Sequence, residues 1–190
     1  MSALVIGRIG EAYVIVPTLD NGRLTVGISW PWLAFWRIGF GLIWLVDAGF
    51  KWQPVFLSKF VSYLSGNLSA SQPAWVNAWI NFWIETVRVD PKLFAYLVAL
   101  GETVIALAFL FGIGVRLFAV LGSALSLIIW STGEAFGGLY TTGATDIGAA
   151  ILYVGGFALL ALTQSGYAFG LDGRLGLNGW SWRKVRGPED

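Results

Sequence analysis

Four long apolar stretches organise the chain: residues 31–50, 93–111, 115–131 and 145–163. Each has a length near the roughly 20 helical residues that cross a hydrocarbon core of about 30 Å. None alternates with a period of two, which argues against the strands of a membrane barrel. The expected fold is therefore an all-α integral membrane protein with four transmembrane helices. Gly112, Ile113 and Gly114 are the only link between the second and third stretches, so these two should form a tight antiparallel hairpin.

The flanking segments have different patterns. In residues 1–29, AYVIVP and RLTVGI surround Asn21-Gly22, which reads as a short N-terminal hairpin or, failing that, a solvated tail. No basic stretch precedes an apolar one with a small-residue cleavage site, so this is not a signal peptide. The loop 52–92 is too long to lack structure of its own. Within it Trp75, Trp79 and Trp83 recur at helical spacing, with Asn77, Asn81 and Glu85 on another face. That pattern predicts an amphipathic interfacial helix, with a fifth span as the alternative. The domains expected are thus 1–29, a membrane domain 30–163, and a tail 164–190.

Composition narrows the function classes. The chain is 56% hydrophobic and 12% charged, with a net charge of +1. A soluble enzyme would carry about twice that charge, and a nucleic-acid binder would show a basic patch. The absence of cysteine and histidine removes thiolate chemistry, the usual haem and copper ligands and the commonest general base. No metal site is expected. Redox chemistry in this chain would run through an organic cofactor, a substrate or another subunit.

Basic residues suggest an orientation. Arg8, Arg23, Arg116, Arg174, Arg183, Lys184 and Arg186 fall on one side, and Lys51, Lys59, Arg88 and Lys92 on the other. The excess of basic residues on cytoplasmic loops places both termini in the cytoplasm, with the chain in the plasma membrane. Trp30, Trp32, Trp36, Trp52 and Trp180 flank spans and read as interfacial anchors. Asn67-Leu68-Ser69, on the outer side, is a glycosylation sequon.

Charges inside spans are rare and mark function by default. Arg37, Gly41, Trp44, Ala48 and Lys51 share one face of the first helix, and Glu102 lies midway along the second. By depth, Arg37 is expected to pair with Glu102, with Arg116 close beneath. Asp47, Lys51, Glu134, Tyr140 and Asp146 should form a second cluster at the outer end. A buried ion pair can also serve only to fix helix register, and charges near span ends can snorkel to the interface. The loop 131–145, rich in glycine and hydroxyl side chains, could dip into the bundle, form an anion-binding nest, or simply turn.

The series Arg37, Gly41, Trp44 and Gly49-Phe50-Lys51, then Gly101-Glu102 and Gly112-Ile113-Gly114-Val115-Arg116, resembles the DoxX superfamily of four-helix membrane proteins. FGGLYTTGATDIGAAILYVGGFALLAL (Phe136 to Leu162), followed by Gly170-Leu171-Asp172, is similar to its DoxD branch. The resemblance spans about residues 30–175. It implies a membrane subunit of a thiosulfate:quinone oxidoreductase, which joins thiosulfate into tetrathionate and passes electrons to a quinone. It further implies a second small subunit of DoxA type and association with a terminal oxidase complex. On that reading Arg37 and Glu102 are the catalytic candidates. Arg116, Asp47, Lys51, Trp44, Tyr140 and Asp146 are the substrate- or quinone-binding ones. The rival reading is a non-catalytic accessory subunit of a respiratory complex such as a terminal quinol oxidase. A small transporter ranks last, for want of internal repeats or broken spans.

Overall fold

A computed structural model describes residues 31–163, 165–166 and 169–172, together with the backbone of five short N-terminal strands. Those strands are β1 (Gly7–Ile9), β2 (Ala12–Val14), β3 (Thr18–Asp20), β4 (Arg23–Thr25) and β5 (Ile28–Ser29). β1, β2 and β5 form one antiparallel sheet. β3 and β4 pair separately, with Asp20 opposite Arg23 across the Asn21-Gly22 step. Trp30, Trp180 and the basic residues from Arg174 onward lie outside the described residues.

Everything described from Pro31 on is helical or loop. The helices are α1 (Pro31–Lys51), α2 (Pro54–Ser58), α3 (Phe60–Ser65), α4 (Ala74–Arg88), α5 (Pro91–Phe111), α6 (Val115–Thr132) and α7 (Ala149–Leu162). Among the described residues three helices are long and apolar enough to span a membrane: α1, α5 and α6. The fourth expected span is shortened. α7 has 14 residues, about 21 Å at 1.5 Å per residue. The reason is local. Gly148 adopts φ +87°, Asp146 Oδ1 accepts from the Gly148 amide at 2.8 Å, and Trp130 Nε1 donates to the Ile147 carbonyl at 2.7 Å. Residues 145–148 are thereby held as loop rather than helix.

α1 lies along α5 and α7 along α6. Apolar burial contributes little between helices that already sit in lipid, so close approach decides packing there. Glycines supply it. A Cβ on Gly41 would meet Phe109 Cβ at 3.0 Å, one on Gly122 would collide with the Phe157 ring, and one on Gly156 would meet the Phe40 ring at 2.5 Å. Phe40, Trp44, Phe109 and Phe157 fill the interior they leave, with Phe40 and Trp44 each edge-on to Phe157 at 4.9 Å.

The loop 52–92 contributes three helices where one was expected. α2 and α3 escape a periodicity search because each is under two turns long. α4 turns Val76, Ile80, Ile84 and Val87 inward against Phe60, Leu64 and Ala95. Each such residue stabilises the packing by about 1.5–3 kcal/mol relative to exposure in water. Trp75, Trp79 and Phe82 face outward, so the tryptophan spacing marks the outer side of α4 and the valine–isoleucine spacing its docking side.

The α5–α6 link is as tight as the sequence implies. Asp90 caps the start of α5 by accepting from the Leu93 amide at 3.0 Å. Gly112 and Gly114 end α5 and start α6 in the left-handed region, at φ +66° and +57°. A side chain at Gly112 would collide with Arg37 Nη1 and Gly170 Cα.

Candidate functional site

The expected Arg37–Glu102 pair does not form. α1 and α5 run antiparallel with Gly41 against Ala106 and Phe109, which sets Arg37 beside the C-terminal end of α5. Glu102 lies seven residues, about 10 Å, further toward the other end. Depth counted from span edges could not resolve that register.

Arg37 is completely buried and its guanidinium is engaged by backbone carbonyls. Nε donates to Ser165 O at 3.0 Å, Nη2 to Phe169 O at 3.2 Å, and Nη1 to Phe109 O and, at 3.4 Å, Leu110 O. Two of these carbonyls close α5, where a cation also complements the negative end of the helix. Asp172 interacts with the guanidinium electrostatically and works on the other side of the same turn. Its Oδ1 accepts from Gly114 N at 2.7 Å and its Oδ2 from Val115 N at 3.1 Å, capping α6, while its own amide donates to Gly112 O at 2.8 Å. Arg37 and Asp172 thus clamp residues 165–166 and 169–172 onto the α5–α6 turn. In the sequence Asp172 is visible only as part of a Gly-Leu-Asp motif. Arg116 sits on the exposed side of the first turn of α6, outside that buried setting.

At the opposite end of α1, Glu102 finds a different cation. Lys51 Nζ lies 3.2 Å from Glu102 Oε2 and 3.0 Å from Asp47 Oδ2. Side chains lean toward their own helix N-terminus, so in an antiparallel pair Lys51 and Glu102 lean toward each other. Glu102 is fully buried, and neither of its oxygens has a hydrogen bond of good geometry. Burying an ionisable group in this state is costly. Tyr63 from α3, Tyr153 from α7 and Glu134 after α6 share the electrostatic field of this group. Burial and the carboxylates of Glu134, Asp47 and Glu102 raise the Tyr63 hydroxyl above its usual range, against the opposing effect of Lys51. It therefore stays protonated at neutral pH, as a hydrogen-bond donor.

Five further buried polar atoms lack partners among the described residues: Trp44 Nε1 on α1, Trp83 Nε1 on α4, Ser126 Oγ on α6, and Thr163 Oγ1 and Ser165 Oγ toward the Arg37 end. Trp44 packs edge-on against the Tyr153 ring at 5.0 Å. Tyr153 therefore touches this inner layer and also feels the Lys51 cluster. Sequence reasoning misses Tyr63 and Ser126. Neither lies at a periodic polar position, and isolated hydroxyls carry no signal without the fold.

Two residues expected at the outer mouth stand apart. Tyr140 donates to Gln72 Oε1 at 2.8 Å and Ala135 O at 3.1 Å, joining the loop after α6 to the approach to α4; partial burial raises its hydroxyl. Asp146 is exposed and bonded within its own loop. That loop, residues 139–147, lines an open cleft of about 480 Å³. Glu134 instead turns inward and caps α7, accepting from Ala150 N at 3.1 and 3.2 Å. Between them Ala135–Gly138 make a left-handed turn, whose Phe136 ring is edge-on to both Trp75 and Trp130, at 5.0 and 5.3 Å.

One end of the bundle is thus a guanidinium met by backbone carbonyls, and the other a partly buried lysine beside a buried carboxylate. Compared with known proteins, this chain matches no family model, no curated protein and no solved structure.

Proposed function

We propose that this chain is the membrane subunit of a thiosulfate:quinone oxidoreductase and carries the quinone-reducing side of the reaction. One observation carries the reading: the buried Lys51–Glu102 pair, with Glu102 under-bonded among Tyr63, Tyr153 and Asp47. A quinone carbonyl accepts a hydrogen bond from an ammonium, and the reduced oxygen needs a nearby acid to supply its proton. Lys51 and Glu102 offer these within one contact. In the overall reaction two thiosulfates lose one electron each as a sulfur–sulfur bond forms. The quinone takes both electrons and two protons.

The electrostatics divide the work. Asp47 and Glu102 flank one ammonium, a poor setting for a dianion. The Arg37 guanidinium, the other buried cation, is engaged by backbone. Thiosulfate therefore binds on a partner subunit or at an interface with it, while electrons pass to quinone here. This chain sits in the plasma membrane with both termini cytoplasmic. α7 completes a four-helix bundle, and α4 lies at the lipid interface with Trp75, Trp79 and Phe82 outward.

The test is turnover by the purified membrane complex with thiosulfate and a decyl-quinone, following quinone absorbance and tetrathionate. Lys51→Met should lower the rate at least about 100-fold, on the scale of lost acid–base and electrostatic assistance. Full activity in that variant would sink the assignment. A second reading has one observation of its own. Trp75, Ala78, Trp79, Phe82 and Phe136 line an open apolar groove of about 470 Å³, which suits an accessory subunit docked on a terminal oxidase. Stoichiometric purification with a haem–copper subunit, together with full tolerance of Lys51→Met, would favour it.

A further inference from the structure

Of the buried side chains left without a hydrogen bond among the described residues, Glu102 is the one that titrates near neutral pH. Its neighbours stand in file toward the surface. The Asp47 side chain is 34% exposed, Lys51 14% and Glu102 not at all. Lys51 Nζ donates to Asp47 Oδ2 at 3.0 Å. Glu102 Oε2 lies 3.2 Å from the same nitrogen, outside good hydrogen-bonding geometry. The ammonium is thus bonded to the outer carboxylate, and with both carboxylates ionised one negative charge is left over. The elements around the group do not offset it. α2 lays the Phe56 ring 5.9 Å from Lys51 Nζ. α3 and α7 bring the hydroxyls of Tyr63 and Tyr153, and Glu134, which acts on both tyrosines, is a further carboxylate held by the Ala150 amide. Glu85 and Arg88 of α4 pair with each other on the exposed side, and Lys59 and Lys92 are exposed.

Two carboxylates sharing one counterion away from water do not both stay ionised, and the deeper one, with neither water nor a donor, is the one neutralised. We propose that Glu102 is a proton-binding site, which carries its proton while Asp47 holds the Lys51 ammonium and exchanges it with the Lys51 end of the bundle through those two residues. The transfer balances. Solvent delivers a proton to Asp47, Lys51 passes one of its own to Glu102, and Asp47 hands its proton on to restore the ammonium. A proton needs no cavity, which suits a region where Trp44 and Ala48 are packed to 1% exposure. The site goes beyond the quinone reading and does not depend on it. What it offers is an acid held at membrane depth and replenished from one face.

The test is infrared difference spectroscopy of the full chain, purified and reconstituted in lipid, as pH is varied, beside thermal unfolding of each variant. At neutral pH the parent chain should show the carbonyl stretch of a protonated, buried carboxylic acid. Glu102→Gln should abolish that band and keep the parent's unfolding midpoint, since the amide resembles the neutral acid. Asp47→Asn frees the ammonium for Glu102, so the band should titrate about 1–3 pH units lower. Lys51→Met removes the cation, so it should titrate higher, and Glu85→Gln, on the exposed side of α4, should leave it unchanged. In acid, where Glu102 is protonated in both chains, exchange of its proton with deuterated water should be at least about tenfold slower in Asp47→Asn than in the parent. A parent chain without a Glu102 band at neutral pH would overturn the site. So would an Asp47→Asn chain whose band titrates as in the parent, and equal exchange rates would overturn the route. These readouts involve neither quinone nor thiosulfate, so the proposal and the reading above fail separately.

Discussion

The two ends of α1 each bury a cation, and they treat it in opposite ways. Arg37 is met by carbonyls from α5 and from Ser165 and Phe169. Lys51 meets Asp47 and Glu102, yet leaves Glu102 without a well-formed hydrogen bond. A saturated charge holds a fold together and has little left to offer a substrate. An unsaturated one costs stability and keeps a hydrogen-bonding capacity in reserve. Burial of a charge inside a span does not by itself distinguish them; completeness of bonding does.

The contrast can be broken by substitution. Arg37→Ala should have the largest effect on folding, about 3–5 kcal/mol, because several buried carbonyls and Asp172 lose their cation together. Loss of folded protein in detergent, seen as a collapse of the unfolding midpoint, is the readout. Arg37→Lys should rescue little, since an ammonium cannot reproduce the planar fork. Asp172→Ala follows at about 2 kcal/mol, the worth of a charged cap accepting two amides. A midpoint equal to that of the parent chain would show the strap to be dispensable. Replacing Lys51 and Glu102 together, as Lys51→Met with Glu102→Gln, should change stability by no more than about 1 kcal/mol, while the proposed quinone reduction is lost. A large destabilisation there would make the two ends alike and remove the distinction. Asp47→Asn is the mildest. An i,i+4 pair that is partly exposed is worth about 0.3–0.5 kcal/mol, so its unfolding midpoint should barely move.

Much of this architecture is legible in the amino-acid sequence. Three spans, the Gly112–Gly114 hairpin and the presence of a helix around Trp75–Trp83 follow from hydropathy, glycine placement and spacing. The correct partners of the buried charges do not. Periodicity assigns Arg37, Lys51 and Glu102 to helix faces. Only the packing register, set by Gly41 against Phe109, decides which cation meets the carboxylate. The length of α7 is hidden for a related reason. Its apolar composition continues back to Thr145, but Glu134 and Trp130 from the preceding helix end claim that first turn. The docking side of α4 misleads because tryptophan is the louder signal. Val76, Ile80, Ile84 and Val87 carry the contact, and they stand at the same helical spacing.

The clamp at Arg37 also has a consequence in time. Its partner Ser165 follows it by 128 residues, which at about 5–20 residues per second is roughly 6–26 s of synthesis. Throughout that interval α1 must enter the bilayer carrying a guanidinium whose distal carbonyls do not yet exist, against a penalty that reaches about 2.5–3.5 kcal/mol for an arginine at the helix centre. The first helix is thus the last to be secured. Biogenesis of this protein is a race between its membrane entry and the arrival of its own distant strap, and slowing translation after α6 should expose α1 to quality-control proteolysis sooner than any other helix.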